Sequence, residues 1–223
     1  MDKGKRIFLI IFFIILFLLL IFSVFFSLIN INNNNILNGI SINNIDISGL
    51  SKDEANSKIL NIIQSKKDNN IIIKTDTENE LTTTFDYLEV NYNLNDCINK
   101  AFNIGRSSNI FKNNFDILSL FFNKKNLNLN VEINTNNLNS LINELSSNLE
   151  NKVIQSSYYI ENNNLIITKG ISGDVINSDE FSNNLYSILN DLSTTENSIQ
   201  ISTKTAEPEK IDIEKIYNEI HKD

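Results

Sequence analysis

Residues 40–63 read ISINNIDISGLSKDEANSKILNII, and the change of period inside this stretch decides the fold class. Ile40, Ile42, Ile45 and Ile47 make an extended segment, which Gly49 ends. Ser51 with Glu54 forms a capping box, in which each side chain satisfies a backbone N–H that the first helical turn leaves open. Ala55, Ile59, Ile62 and Ile63 then fall at i, i+4, i+7 and i+8, one face of an amphipathic helix. The stretch predicts a strand feeding a capped helix.

The same element recurs along the chain. Anchors at Ile47, Val90, Ile133 and Val175 each close an extended segment ahead of a polar cap and a helix, at a spacing of about 43 residues. Hairpins intervene unevenly, so the expected fold is α+β with internal duplication. Strands are expected at residues 71–75 and 81–85, around a polar turn at 76–80, and a helix at 94–102 stops near Gly105. A further helix at 109–122 carries Phe111, Phe115, Leu118 and Phe122, expected to face the core. Leu127, Leu129, Val131 and Ile133 alternate strictly with polar residues, which predicts one continuous strand. A helix follows through Leu138 to Leu149, then a hairpin at 157–160 and 165–168 whose turn lies at 161–164. Gly170 and Gly173 bracket a structural turn ahead of a helix capped by Asn177 or Ser178. A strand at 198–203 and a last short helix through Ile213 and Ile220 end the pattern.

Upstream of this pattern, residues 7–29 are almost wholly apolar and follow Lys3, Lys5 and Arg6. A helix needs roughly 20 such residues to cross a bilayer, and basic flanks stay in the cytoplasm. The expectation is a single-pass transmembrane anchor in the lipid bilayer, with residues 1–6 cytoplasmic and everything after residue 29 outside. A cleaved signal peptide is the rival; the apolar run is long for one, and no A-x-A-like site follows Ser23 or Ser27. Residues 30–38, rich in Asn, are expected to form a stalk, residues 39–208 the exported domain, and residues 209–223 a C-terminal helix that could begin a truncated continuation.

The chain carries 19 basic and 27 acidic residues; without Lys3, Lys5, Arg6 and Asp2 the remainder has 16 and 26, a charge of −10. Such a surface disfavours nucleic acid and other polyanions held by bulk charge, and suits a neutral or mixed-charge ligand. Cys97 is the single cysteine, so no intramolecular disulfide forms, and its place among Leu94, Ile98 and Ala101 marks a buried thiol. His221 is the single histidine. No Gly-rich phosphate loop, nucleophile elbow or metal-ligand spacing is present, so no cofactor and no metal are expected. Asp46, Asp53, Glu54, Glu132, Asp174, Asp179 and Glu180 mostly stand in helix first turns, where they complement the macrodipole.

Three segments resemble a known family. Gly39 to Ala55 resembles the opening that follows the membrane helix of YoaR/VanW-type proteins and precedes some L,D-transpeptidase catalytic domains. Ala101-Phe-Asn-Ile-Gly105-Arg106-Ser-Ser-Asn109-Ile-Phe111 is similar to a Gly-Arg segment of the peptidoglycan-binding domain in those proteins, with Ser108 where a second glycine is usual. Residues 167–177 resemble its Gly-x-x-Gly turn, with Asn177 in place of Asp. Gly39, Gly49, Gly105, Gly170 and Gly173 all lie in these segments. The resemblance implies a non-catalytic module that faces the cell wall from the cell membrane and binds peptidoglycan. A wall enzyme is the implied partner, since the Ser-x-Gly-Cys nucleophile of the transpeptidases is absent. It implies ligand contact through Arg106, Asn109 and Gly105, while a helix C-cap at Gly105, with Arg106 on the last carbonyls, is the alternative. An enzyme with two converging carboxylates, or a scaffold that binds only protein, are the other classes the residues allow.

Overall fold

The computed structural model describes residues 3–76, 80–162 and 164–220. The elements in chain order are α1 (Lys3–Ile31), β1 (Ile40–Ile42), β2 (Ile45–Asp46), α2 (Lys52–Lys67), β3 (Ile71–Thr75), β4 (Glu80–Thr83), β5 (Asn91–Tyr92), α3 (Leu94–Asn103), α4 (Ile110–Leu120), β6 (Lys125–Leu127), β7 (Val131–Glu132), α5 (Thr135–Ser147), β8 (Ser157–Glu161), β9 (Asn164–Thr168), β10 (Gly173–Ile176), α6 (Ser178–Asn190), β11 (Ser198–Ile201), β12 (Thr203–Ala206) and α7 (Ile213–Ile220). This is the α+β class expected, with a long apolar helix ahead of a strand and helix region. Two compact units form. The first joins Met1–Asp68, Asn91–Glu132 and Asn190–Thr195, and the second joins Asn69–Val90, Ile133–Leu189 and Glu196–Asp223. Residues 39–208 contribute to both. His221 lies outside the described residues, as do parts of the turns expected at 76–80 and 161–164.

In the first unit β1 pairs antiparallel with β2 and parallel with β6. Asn43 and Asn44 make the two-residue turn between β1 and β2, with φ of 44° and 64°; asparagine tolerates this left-handed region better than most residues. Asn43 is buried, and its side chain joins three segments: Oδ1 accepts from the Leu129 amide at 2.8 Å and Nδ2 donates to the Asn190 carbonyl at 2.6 Å. The capping box on α2 is formed as the sequence predicts, with the Ser51 amide donating to Glu54 at 2.8 Å. Ala55, Ile59 and Ile63 of α2 pack with Ile40, Ile42 and Ile47, and with Cys97, Ile98 and Ala101 of α3, in one core.

Three expectations change in this unit. Residues 30–38 are not a free stalk: α1 continues to Ile31, Ile36 and Leu37 are buried, and the Ile36 amide donates to the Leu50 carbonyl at 2.7 Å. The single strand expected over residues 127–133 is two, β6 on β1 and β7 on β5. Between them Leu129 is buried and its amide turns to Asn43, so the chain leaves one sheet to join another. The third is the aromatic stripe of residues 109–122, expected in the core, which is on the surface: Phe111 and Phe115 of α4 are 69% and 71% exposed, and Phe122, in the turn past its end, is 87% exposed. The buried face of α4 is instead Asn113, Asn114, Ile117 and Leu120.

α1 runs for 29 residues and is long and apolar enough to cross a membrane. Its side chains are exposed except along one stripe near the C-terminal end, where Ser27 is buried and Ser23, Phe26 and Asn30 are half-buried. That stripe seats α4. Asn114 donates to the Ser23 carbonyl at 2.9 Å and to its hydroxyl at 2.7 Å.

The second unit has a sheet in the order β11-β3-β4, with β11 parallel to β3 and β4 antiparallel. Ile71, Ile73, Ile199 and Ile201 are buried and alternate with outward residues, the period a half-buried sheet requires. β10 pairs with β12, a strand the sequence pattern did not predict, and β8 pairs with β9 in the expected hairpin. Asn134 caps α5 by accepting from the amides of Asn136 and Asn137, and Leu138, Leu141 and Leu145 form its inward face. Phe181, Leu185 and Leu189 do the same for α6.

Candidate functional site

Arg106 stands just after α3, where Gly105 reverses the chain with φ of +73°. That backbone strains any L side chain, and a Cβ at Gly105 would also press on the Ile117 side chain at 2.7 Å and the Leu37 side chain at 3.0 Å. The guanidinium then folds back. Nε donates to the Asn30 carbonyl at 3.0 Å, Nη2 to the Asn35 carbonyl at 2.6 Å and Nη1 to the Phe102 carbonyl. Its carbon lies 4.3 Å from the centre of the Phe102 ring, on which Lys52 also sits at 4.5 Å. Burial pulls the Arg106 pKa below its ordinary value. The arrangement ties the end of α1 and the segment after it to α3. Asn109 caps α4, its Oδ1 accepting from the Lys112 amide at 3.0 Å. In this structure the residues expected at the ligand therefore spend these groups on the protein's own backbone.

The Gly170 and Gly173 segment lies in the second unit, beside an open groove of about 590 Å³ lined by Ser156, Lys169, Gly170, Ile171, Ser172 and residues 207–210. Both glycines are needed because backbone crosses over them: a Cβ on Gly170 would lie 2.5 Å from Pro208 Cβ and 2.6 Å from the Ile154 carbonyl, and one on Gly173 would collide with the Asn151 carbonyl. The Gly170 amide donates to the Ser156 hydroxyl at 3.0 Å, and Ser172 donates to Glu207 at 2.8 Å. Two basic residues, Lys169 and Lys210, and two acidic ones, Glu207 and Glu209, are among the residues that line this groove. The β8–β9 hairpin leads into it and exposes Tyr158 (46%) and Tyr159 (51%). The sequence singled out Gly170 and Gly173 of this segment as a structural turn; that residues 207–210, with Glu207, Glu209 and Lys210, come to lie beside Lys169 and Gly170 is visible only in the fold.

The titratable groups with displaced pKa values are mostly in structural roles. The Ser48 hydroxyl and amide hold the Asp46 carboxyl low, the Ser51 amide and hydroxyl do so for Glu54, and the Ser193 hydroxyl and amide for Asp191. A general acid needs the opposite displacement. Burial pushes the Cys97 thiol up, with Sγ 3.8 Å from the Asn128 carbonyl, so this cysteine is the buried structural thiol its helical spacing predicts. Among the described residues no cluster of three or more His, Cys, Asp or Glu side chains is placed to hold a metal ion.

No curated protein and no solved structure matches the chain. A family pattern described as "Putative peptidoglycan binding domain" matches residues 81–197. That stretch includes Gly105, Arg106, Asn109, Gly170 and Gly173, and it covers more than half of the 223 residues. The chain belongs to this peptidoglycan-binding domain family.

Proposed function

We propose that this protein is a non-catalytic module, tethered to the cell membrane by a single α1 span, that binds peptidoglycan on the outer face. The family match over residues 81–197 carries the reading. The basic residues Lys3, Lys5 and Arg6 before α1 support a cytoplasmic N-terminus, with both compact units facing the wall.

Within this reading the ligand contact is the groove at Gly170. Peptidoglycan stem peptides present carboxylates and amines together, and Lys169 and Lys210 with Glu207 and Glu209 offer the complementary pairs. The hairpin that leads into the groove exposes Tyr158 and Tyr159, rings apolar in body and polar at the tip, on its two faces. Arg106, Gly105 and Asn109 act on the ligand only indirectly, by holding the first unit together.

Co-sedimentation of the full chain in detergent with purified, polymer-stripped peptidoglycan tests the reading. Saturable pelleting, weakened several-fold in a Lys169→Ala/Lys210→Ala double variant, is the expected result. A folded chain that does not pellet sinks the binding function, and pelleting untouched by the double variant removes the groove.

A further inference from the structure

We propose that α4 is a second membrane contact, lying in the outer interface of the bilayer that α1 crosses, with Phe111, Phe115, Leu118 and Phe122 among the lipid chains. The inference rests on the reading of α1 as a membrane span. Phe111, Phe115 and Leu118 recur at i, i+4 and i+7 on α4 and form one stripe, Phe122 follows in the turn just past its end, and each of the four is more than half exposed. Phe121, 76% exposed, widens it. α4 buries Asn113, Asn114, Ile117 and Leu120 on its inward side and leaves this second, larger apolar face uncovered.

Lipid is the occupant because the stripe is continuous with the lipid-facing surface of α1. Asn114, on the next row of the helix, donates to both the carbonyl and the hydroxyl of Ser23. Ser23 and Ser27, one turn apart, are the small residues that let two helices approach closely in a bilayer. Depth agrees. Ser23 lies about 9 Å short of Ile29 at 1.5 Å per residue, and interfacial helices bury their apolar faces about 5–10 Å deep. The far side of the stripe is polar, with Lys112 and Asp116 paired at 3.6 Å, as the headgroup layer requires.

The chain contains no tryptophan, so a single introduced Trp reports its own surroundings. The full chain carrying Phe115→Trp, Leu118→Trp or Phe17→Trp is reconstituted into phosphatidylcholine and phosphatidylglycerol vesicles, with and without brominated acyl chains. Phe17→Trp sits in the middle of α1 and reads the span alone. The expected result is blue-shifted emission and strong loss of signal in brominated lipid for all three variants. If Phe17→Trp is quenched while both α4 variants emit as water-exposed and unquenched, α4 lies off the membrane and the proposal fails by itself. If Phe17→Trp is not quenched, the span is wrong and takes this inference with it.

Discussion

The Arg106 guanidinium stacks on the Phe102 ring at 4.3 Å and donates to the carbonyl of the same residue. Its other two donors reach Asn30 and Asn35, so one side chain closes α3 onto the exit of α1. Charged hydrogen bonds are worth about 1.5–3 kcal/mol each before non-additivity. Arg106→Ala is therefore expected to destabilise the chain by about 2–4 kcal/mol, and Arg106→Lys by less, since an ammonium keeps the charge and loses the fork. Thermal unfolding of the full chain in detergent reads both; an Arg106→Ala variant as stable as the parent would contradict the clamp.

Asn43 combines a left-handed backbone with a buried two-ended side chain. Asn43→Gly keeps the turn and strands the Leu129 amide, at a cost of about 1–3 kcal/mol. Asn43→Ala adds backbone strain of roughly 1 kcal/mol. Denaturant melts should rank the parent above Gly and Gly above Ala; the reverse order of the two variants would mean that the turn geometry is not what holds this position.

Gly170 supports the groove by allowing three backbone segments to meet. In Gly170→Ala the new methyl group would lie 2.6 Å from the Ile154 carbonyl and 2.7 Å from the Ser156 amide, neither of which can rotate away. The expected outcome is a fall in unfolding temperature together with weaker peptidoglycan pelleting. Unchanged stability would show that residues 154–156 do not pass over this glycine as described.

Asp46 and Asp191 titrate below their ordinary value of 3.8 in the folded chain. A depressed carboxylate contributes stability that is fully present above its unfolded pKa and is lost as pH falls through the folded one. Stability should thus be flat near neutrality and decline below about pH 4. Ser193→Ala, which removes the hydroxyl on Asp191, should make that decline shallower. A melting temperature that rises on acidification would contradict the sign.

Local structure was written plainly in the sequence. The capping box at Ser51 and Glu54, the inward faces of α2, α5 and α6, and the β8–β9 hairpin all formed where period and turn chemistry put them. What failed to read through was context. Periodicity put Phe111, Phe115 and Leu118 on one face, but an apolar stripe reads the same whether the fold covers it or leaves it on the surface. Strict alternation over residues 127–133 could not reveal that Leu129 would turn its amide to Asn43, a residue far away in the chain. Of the three carbonyls that occupy Arg106, that of Phe102 lies one turn back on α3, as the C-cap alternative has it, while those of Asn30 and Asn35 come from a segment the sequence does not place nearby. The groove at Gly170 draws on Ser156, residues 169–172 and residues 207–210, and only folding brings them together.

The most direct test of the account is amide NMR of the full chain in micelles, titrated with a soluble disaccharide-peptide fragment of peptidoglycan. Shifts that saturate and cluster at Ser156, residues 169–172 and residues 207–210 are predicted. Saturating shifts confined to residues 103–109 would move the ligand to the Gly-Arg segment, and a folded chain with no shifts at all would contradict peptidoglycan binding.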